Sequence, residues 1–207
     1  MERERITISI RKNVLNAIDR TIDGIEVRNR SHAIETLAIR AMKQNSNGNA
    51  IILVGGEDAL KSIPQVKENL KKLESLGLES AYIAVGYLAN EIKNKIGDSS
   101  FGKIDLEYIE SEEGSAGALL PLKNEYSDTF MVINNIDIKK LDIEEMLEEH
   151  NNSSAVVTVI TNDLEALNGL YICEPEIFSY ISKGFSMLET DIFPKLIADK
   201  KLIIKPI

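Results

Sequence analysis

Three residues with hydrogen-bonding side chains, Arg5, Thr7 and Ser9, alternate with three apolar ones, Ile6, Ile8 and Ile10. That period of two is the pattern of a half-buried strand, with the guanidinium and both hydroxyls on one face. Two helical patterns follow, so no neighbouring segment can pair with this strand, and its backbone groups must be satisfied elsewhere. Pairing with the same strand of a second copy makes a two-stranded antiparallel ribbon, which fits the major groove of DNA, about 12 Å wide. A second group, Arg30, Ser31 and His32, stands where a helix is expected to open. Free N–H groups and the helix dipole favour an anion at such a place. A third group is Gly114, Ser115 and Gly117, also ahead of a helical stretch. A phosphate or nucleotide could sit there, unless the glycines serve only a tight turn.

Charge supports a division of labour. The 207-residue chain carries a net −9, but residues 1–44 hold nine basic and six acidic residues, a balance of +3, leaving 15 basic and 27 acidic beyond them. A basic module joined to an acidic body is the natural reading. A composition 43% hydrophobic and 28% charged excludes a disordered chain and supplies a real core. No apolar run approaches the roughly 20 residues that span a bilayer, and the charged start lacks a signal peptide's apolar stretch, so a cytoplasmic protein without a membrane partner is expected. Cys173 is the sole cysteine and His32 and His150 the only histidines. No intrachain disulfide, metal site or cofactor is therefore expected. The acidic runs at 110–113 and 144–149 read as solvated faces.

These residues need elements to position them. Helical spacing predicts helices over 12–22, closed by Asp23-Gly24, and over 31–43, with Ser31 as N-cap. The polar stretch Gln44-Asn45-Ser46-Asn47-Gly48-Asn49 marks a boundary, giving domains at 1–44 and 50–207 joined by a linker at 45–49. Beyond it, strands are predicted at 50–54, 81–85, 104–109, 130–133, 155–160 and 170–173. Helices fall at 66–76, 88–96, from Gly114, at 143–150 and at 188–198. Such alternation means an α/β domain with a parallel sheet.

Residues 5–43, through Arg5-x-Thr7-x-Ser9, the apolar positions and Asn29-Arg30-Ser31, resemble the ribbon-helix-helix family of DNA-binding proteins. The resemblance implies base reading by Arg5, Thr7 and Ser9 and a phosphate grip by Arg30, Ser31 and His32. Arg11 departs from the family's frequent proline and adds a positive charge beside that grip.

Several later segments resemble sugar-1-phosphate nucleotidyltransferases. They are Ile51-Ile52-Leu53-Val54-Gly55-Gly56, Val85-Gly86-Tyr87-Leu88, 113–119, Asn168-Gly169-Leu170-Tyr171 and 188–194. The resemblance implies a Rossmann-like fold that joins a nucleoside triphosphate to a sugar phosphate, with Gly55, Gly56, Gly114, Ser115 and Gly117 toward the ligand. Three departures stand beside it. The loop after Gly55-Gly56 is short, with Glu57 and Asp58 where a triphosphate wants cations. Asn134-Asn135-Ile136-Asp137 puts Ile136 where the family has its metal-holding Asp. The stretch between Asn162 and Asn168 is shorter than the family's sugar-binding insert.

The resulting expectation has two parts. An N-terminal ribbon-helix-helix, a dimeric antiparallel β-ribbon, precedes a reduced Rossmann-like nucleotidyltransferase-type α/β domain. In function, that is a sequence-specific transcriptional regulator of double-stranded DNA, a homodimer that could pair into tetramers. Its second domain is expected to be a pseudoenzyme without catalytic residues or metal, serving oligomerisation or sensing a nucleotide or sugar-nucleotide effector. The alternative is an active sugar-phosphate nucleotidyltransferase, dependent on Asp137 or Asp58 and dimerised through its N-terminal strand. A third possibility is a non-DNA scaffold.

Overall fold

Ala50–Val54 (β1) is apolar at every position because it is covered on both faces. Ala50, Ile52 and Val54 join one core cluster, and Ile51 and Leu53 the other, as the twofold period of a strand requires. The computed structural model describes residues 7–22, 27–46, 50–56 and 58–207. It divides into two compact units, Met1–Asn45 and Ser46–Ile207, each described by itself.

The first unit holds α1 (Lys12–Asp19) and α2 (Arg30–Ser46). The first helix stops three residues short of expectation and passes into a turn at Arg20 and Thr21. The second opens at Arg30 because Asn29, rather than Ser31, caps it, its Oδ1 accepting from the His32 N–H at 3.0 Å. Thr7, Ile8, Ser9 and Ile10 form no strand, and Arg5 lies outside the described residues. The predicted ribbon, which pairs two copies, is not shown.

In the second unit, α3 (Ile63–Ser75), β2 (Ser80–Val85), α4 (Ala89–Ile96), β3 (Ser100–Phe101) and β4 (Ile104–Glu110) follow β1. A single turn, α5 (Gly114–Gly117), precedes β5 (Phe130–Asn134), α6 (Ile143–Asn151), β6 (Val157–Thr161) and β7 (Leu170–Cys173). A π-helical turn, Leu188–Ile192, runs into α7 (Phe193–Ala198), and β8 (Leu202–Pro206) closes the series. The sheet order is β3-β4-β2-β1-β5-β7-β6-β8.

The sheet is mixed, not wholly parallel. β1, β2, β4 and β5 are parallel, but β7 runs antiparallel to both β5 and β6. The reason is local: the connection from Thr161 to Leu170 is a hairpin loop, too short for a parallel crossover. Leu70, Leu73, Ile92 and Leu147 from α3, α4 and α6 cover one face. Leu119, Phe178, Leu188 and Phe193 cover the other, where Phe130 stacks on Tyr126 at 4.5 Å.

Candidate functional site

A cleft of about 890 Å³ opens beyond the carboxyl ends of β1, β2 and β5. Connections from β1 leave toward β2 on one side, while β5 lies on the other, so the strand order reverses here. Such a switch point is where open α/β sheets bind ligands. Gly55, Gly56, Gly114 and Ser115 line this cleft, so four of the five glycine-loop candidates meet in one place. Gly56 takes the left-handed backbone at φ +76° that turns the chain away from β1.

Glu189 organises the wall. Its Oε1 accepts from Asn134 Nδ2 and from the Tyr171 hydroxyl, each at 2.7 Å, and its Oε2 accepts from Ser115 Oγ at 3.0 Å. These donors come from the end of β5, from β7 and from α5, so one carboxylate joins three elements. Burial, with the Glu189 charge second, pushes the Tyr171 phenol well above its usual range, which keeps it a donor. Sequence reasoning quoted Glu189 and Asn134 only as parts of longer segments. The π turn at Leu188–Ile192, which opens the helical stretch running into α7, had no signal in the apolar spacing.

The turn after β5 is set by its backbone. Asn135 sits at φ +50°, a conformation asparagine tolerates better than most residues. Ile136 is then only 5% exposed, while Asp137 faces solvent and accepts from the Lys139 N–H at 2.8 Å. Asn69, 2% exposed on α3, holds this turn: its Nδ2 donates to Ile136 O at 2.8 Å and its Oδ1 accepts from Ile138 N–H at 3.1 Å. An asparagine among Val66, Leu70 and Leu73 on a core-facing stripe was the available signal, since a polar residue there needs a partner.

The Gly114–Gly117 turn is fastened rather than open. The N–H groups of Ala116 and Gly117 donate to Ser186 O at 3.0 and 3.2 Å, and that of Ser115 to Met187 Sδ at 3.4 Å. Gly117 is fully within the fold, where a Cβ would lie 2.6 Å from that of Glu113. These donors serve the chain's own loop.

Among the N-terminal candidates, Thr7, Ser9, Arg11, Arg30 and Ser31 are exposed. The Arg30 guanidinium pairs bidentately with Asp19 at 2.7 and 2.8 Å. That pairing holds the Asp19 carboxyl below its usual range. His32 Nδ1 accepts from the Arg28 N–H at 3.3 Å.

Elsewhere, His150 is 2% exposed, with Nδ1 2.7 Å from Thr158 Oγ1 and Nε2 3.1 Å from Glu174 Oε1. Cys173 is wholly buried and its thiol is pushed up by burial, which makes it an inert packing residue. Among the described residues, no cluster of three or more His, Cys, Asp or Glu could hold a metal ion. No helix among them is long and apolar enough to cross a membrane.

No family model matches the chain. The UTP–glucose-1-phosphate uridylyltransferase of Synechocystis sp. is 26% identical over an alignment of 183 residues, which takes in 65% of this chain and 47% of the relative. The chain thus spans about half the length of that curated relative. HddC from Yersinia pseudotuberculosis superposes with a TM-score of 0.57 at 16% identity, covering 77% of this chain and 89% of that one. It is also known complexed with GMP-PN. The inositol-1-phosphate CTP transferase of T. maritima superposes with a TM-score of 0.52 at 11% identity, covering 76% and 84%. The α/β unit has a nucleotidyltransferase-like fold.

These comparisons correct the expected function. Two of these relatives, the uridylyltransferase and the CTP transferase, are nucleotidyl-transferring enzymes by name. The readings of a transcriptional regulator, of double-stranded DNA as partner and of a pseudoenzyme are withdrawn. What misled was a polar-apolar alternation over six residues together with a +3 balance. In the structure one of the basic groups, Arg30, is neutralised within the unit.

Proposed function

We propose that the chain is a nucleotidyltransferase that takes a nucleoside triphosphate and a sugar phosphate in the cleft. The observation that carries this is the 890 Å³ cleft at the switch point, built from the segments that resemble the family. A phosphate oxygen of the sugar phosphate attacks the α-phosphorus. The new P–O bond forms as the α–β bridge bond breaks, and pyrophosphate leaves with the electron pair. Catalysis of this kind rests on positioning and charge compensation. Asn134, Ser115 and Tyr171, tied together by Glu189, hold the floor and one wall of the cleft in register.

The family resemblance implies a divalent metal on an Asp at the turn after β5. The residues present do not fit it: Ile136 is buried and apolar, Asp137 is turned to solvent, and Asp58 pairs with Lys61 at 2.6 Å. No step is assigned to a resident metal.

The test is release of pyrophosphate by the full chain from the magnesium salts of the four nucleoside triphosphates with hexose 1-phosphates. Turnover with one pair is expected. Absence of turnover with every pair, together with no thermal shift by any nucleotide, would overturn the reading.

A further inference from the structure

Only two large aromatic side chains stand exposed among the described residues: Tyr87 at 72% and Phe185 at 73%. Both line the cleft, while Phe130, Tyr171 and Phe193 are fully buried. In a chain with six tyrosines and five phenylalanines, leaving two rings bare at one opening costs apolar exposure that folding gains nothing from. We infer that Tyr87 and Phe185 form a stacking seat for the nucleobase; this rests on the nucleotide reading above and names the contact that reads its flat part.

Both rings stand on anchored backbone. Tyr87 follows β2, whose end is tied to the neighbouring loop by the Ser111 N–H donating to Val85 O at 2.9 Å. The Phe185 segment is tied by Ser186 N–H to Glu113 O at 2.8 Å and by Ala116 N–H to Ser186 O at 3.0 Å. The stretch from Ser111 to Gly117 is thus fastened to both ring-bearing loops, and the exposure belongs to the fold.

Charge selects which part of the ligand sits there. Glu112 and Glu189, close in sequence to the ring-bearing loops, line the cleft, and no Lys or Arg is among its described lining residues. Carboxylates repel phosphates, so the portion of the ligand received beside Glu112 and Glu189 is the neutral one. A flat, neutral, hydrogen-bonding group that gains from ring faces is a nucleobase.

The experiment is calorimetric titration of the full chain with its preferred nucleoside triphosphate, with inorganic tripolyphosphate and with hexose 1-phosphate. Wild type is compared with Tyr87→Leu, Phe185→Leu and Tyr87→Phe. Each Leu change is expected to raise the Kd for the nucleotide about tenfold, in line with loss of one stacked ring, and Tyr87→Phe to restore it. Affinity for tripolyphosphate and hexose 1-phosphate is expected to stay unchanged, as is the melting temperature. Full nucleotide affinity in both Leu variants overturns the seat and leaves the nucleotide reading standing. Loss confined to hexose 1-phosphate also overturns it and makes the rings a sugar platform. Failure of the wild type to bind any nucleotide removes both readings together.

Discussion

Asn134 donates its side-chain amide to Glu189 across 2.7 Å, joining the end of β5 to a π-helical turn 55 positions later in the chain. Removing the carboxylate with Glu189→Ala strips Ser115 and Asn134 of an acceptor and leaves the Tyr171 hydroxyl donating to Leu167 O and accepting from Asn134 Nδ2. A loss of about 1–3 kcal/mol is expected for partners left unsatisfied, and turnover should fall further than Glu189→Gln lowers it. Urea unfolding and pyrophosphate release check the two effects. Equal stability of wild type and Glu189→Ala would show that the network does not hold the cleft.

Asn69, which also lines the cleft, offers a test of the turn. Asn69→Leu keeps the branched heavy-atom skeleton but orphans Ile136 O and Ile138 N–H, both inside the fold. The expected loss is about 2–4 kcal/mol, one buried group being worth roughly half of that. Denaturant midpoints of the two proteins decide it. An unchanged midpoint would mean that water replaces the amide at no cost.

Gly114 lies at φ +79°, and a Cβ there would meet Ser186 O at 2.5 Å. Gly114→Ala therefore combines an unfavourable backbone with a backbone clash, costing about 1–3 kcal/mol. Because Ser186 cannot retreat without releasing the Ala116 N–H, nucleotide affinity should fall with stability. A variant that melts normally and binds nucleotide normally would contradict this account of the glycine.

Acid sensitivity should centre on Glu174. The hydrogen bond from His150, opposed by desolvation and aided by Thr129, holds its carboxyl below the usual value. A depressed folded pKa stabilises above the unfolded value, about 4.3, and that stability is lost as pH falls through the folded pKa. His150→Leu is expected to melt lower at pH 7 and to lose less on acidification, so the two melting curves approach each other near pH 3. Parallel pH profiles would place the acid sensitivity elsewhere.

The elements of the α/β unit were legible because each is covered on one or two faces. The run Ala50–Val54 and the stripe Val66, Leu70, Leu73 had no other reading. The edge strand Leu202–Pro206 was missed, since an edge carries weaker alternation. The antiparallel direction of β7 was missed because direction is set by loop length, not by the strand's own residues. Of the site, the glycines could be read locally, whereas the convergence of Asn134, Tyr171 and Ser115 on Glu189 depends on tertiary contacts between residues far apart in sequence.

The reversal of β7 has one more consequence. Since β5 exits and β7 enters at the same end of the sheet, the hairpin loop between Thr161 and Leu170 borders the cleft, with Ala166 and Asn168 on its rim. Lengthening a surface loop costs little, about 0.6 kcal/mol per doubling. The sheet can therefore stay constant while this one loop grows or shrinks, so the rim of the cleft can change by insertion and deletion without remaking the core.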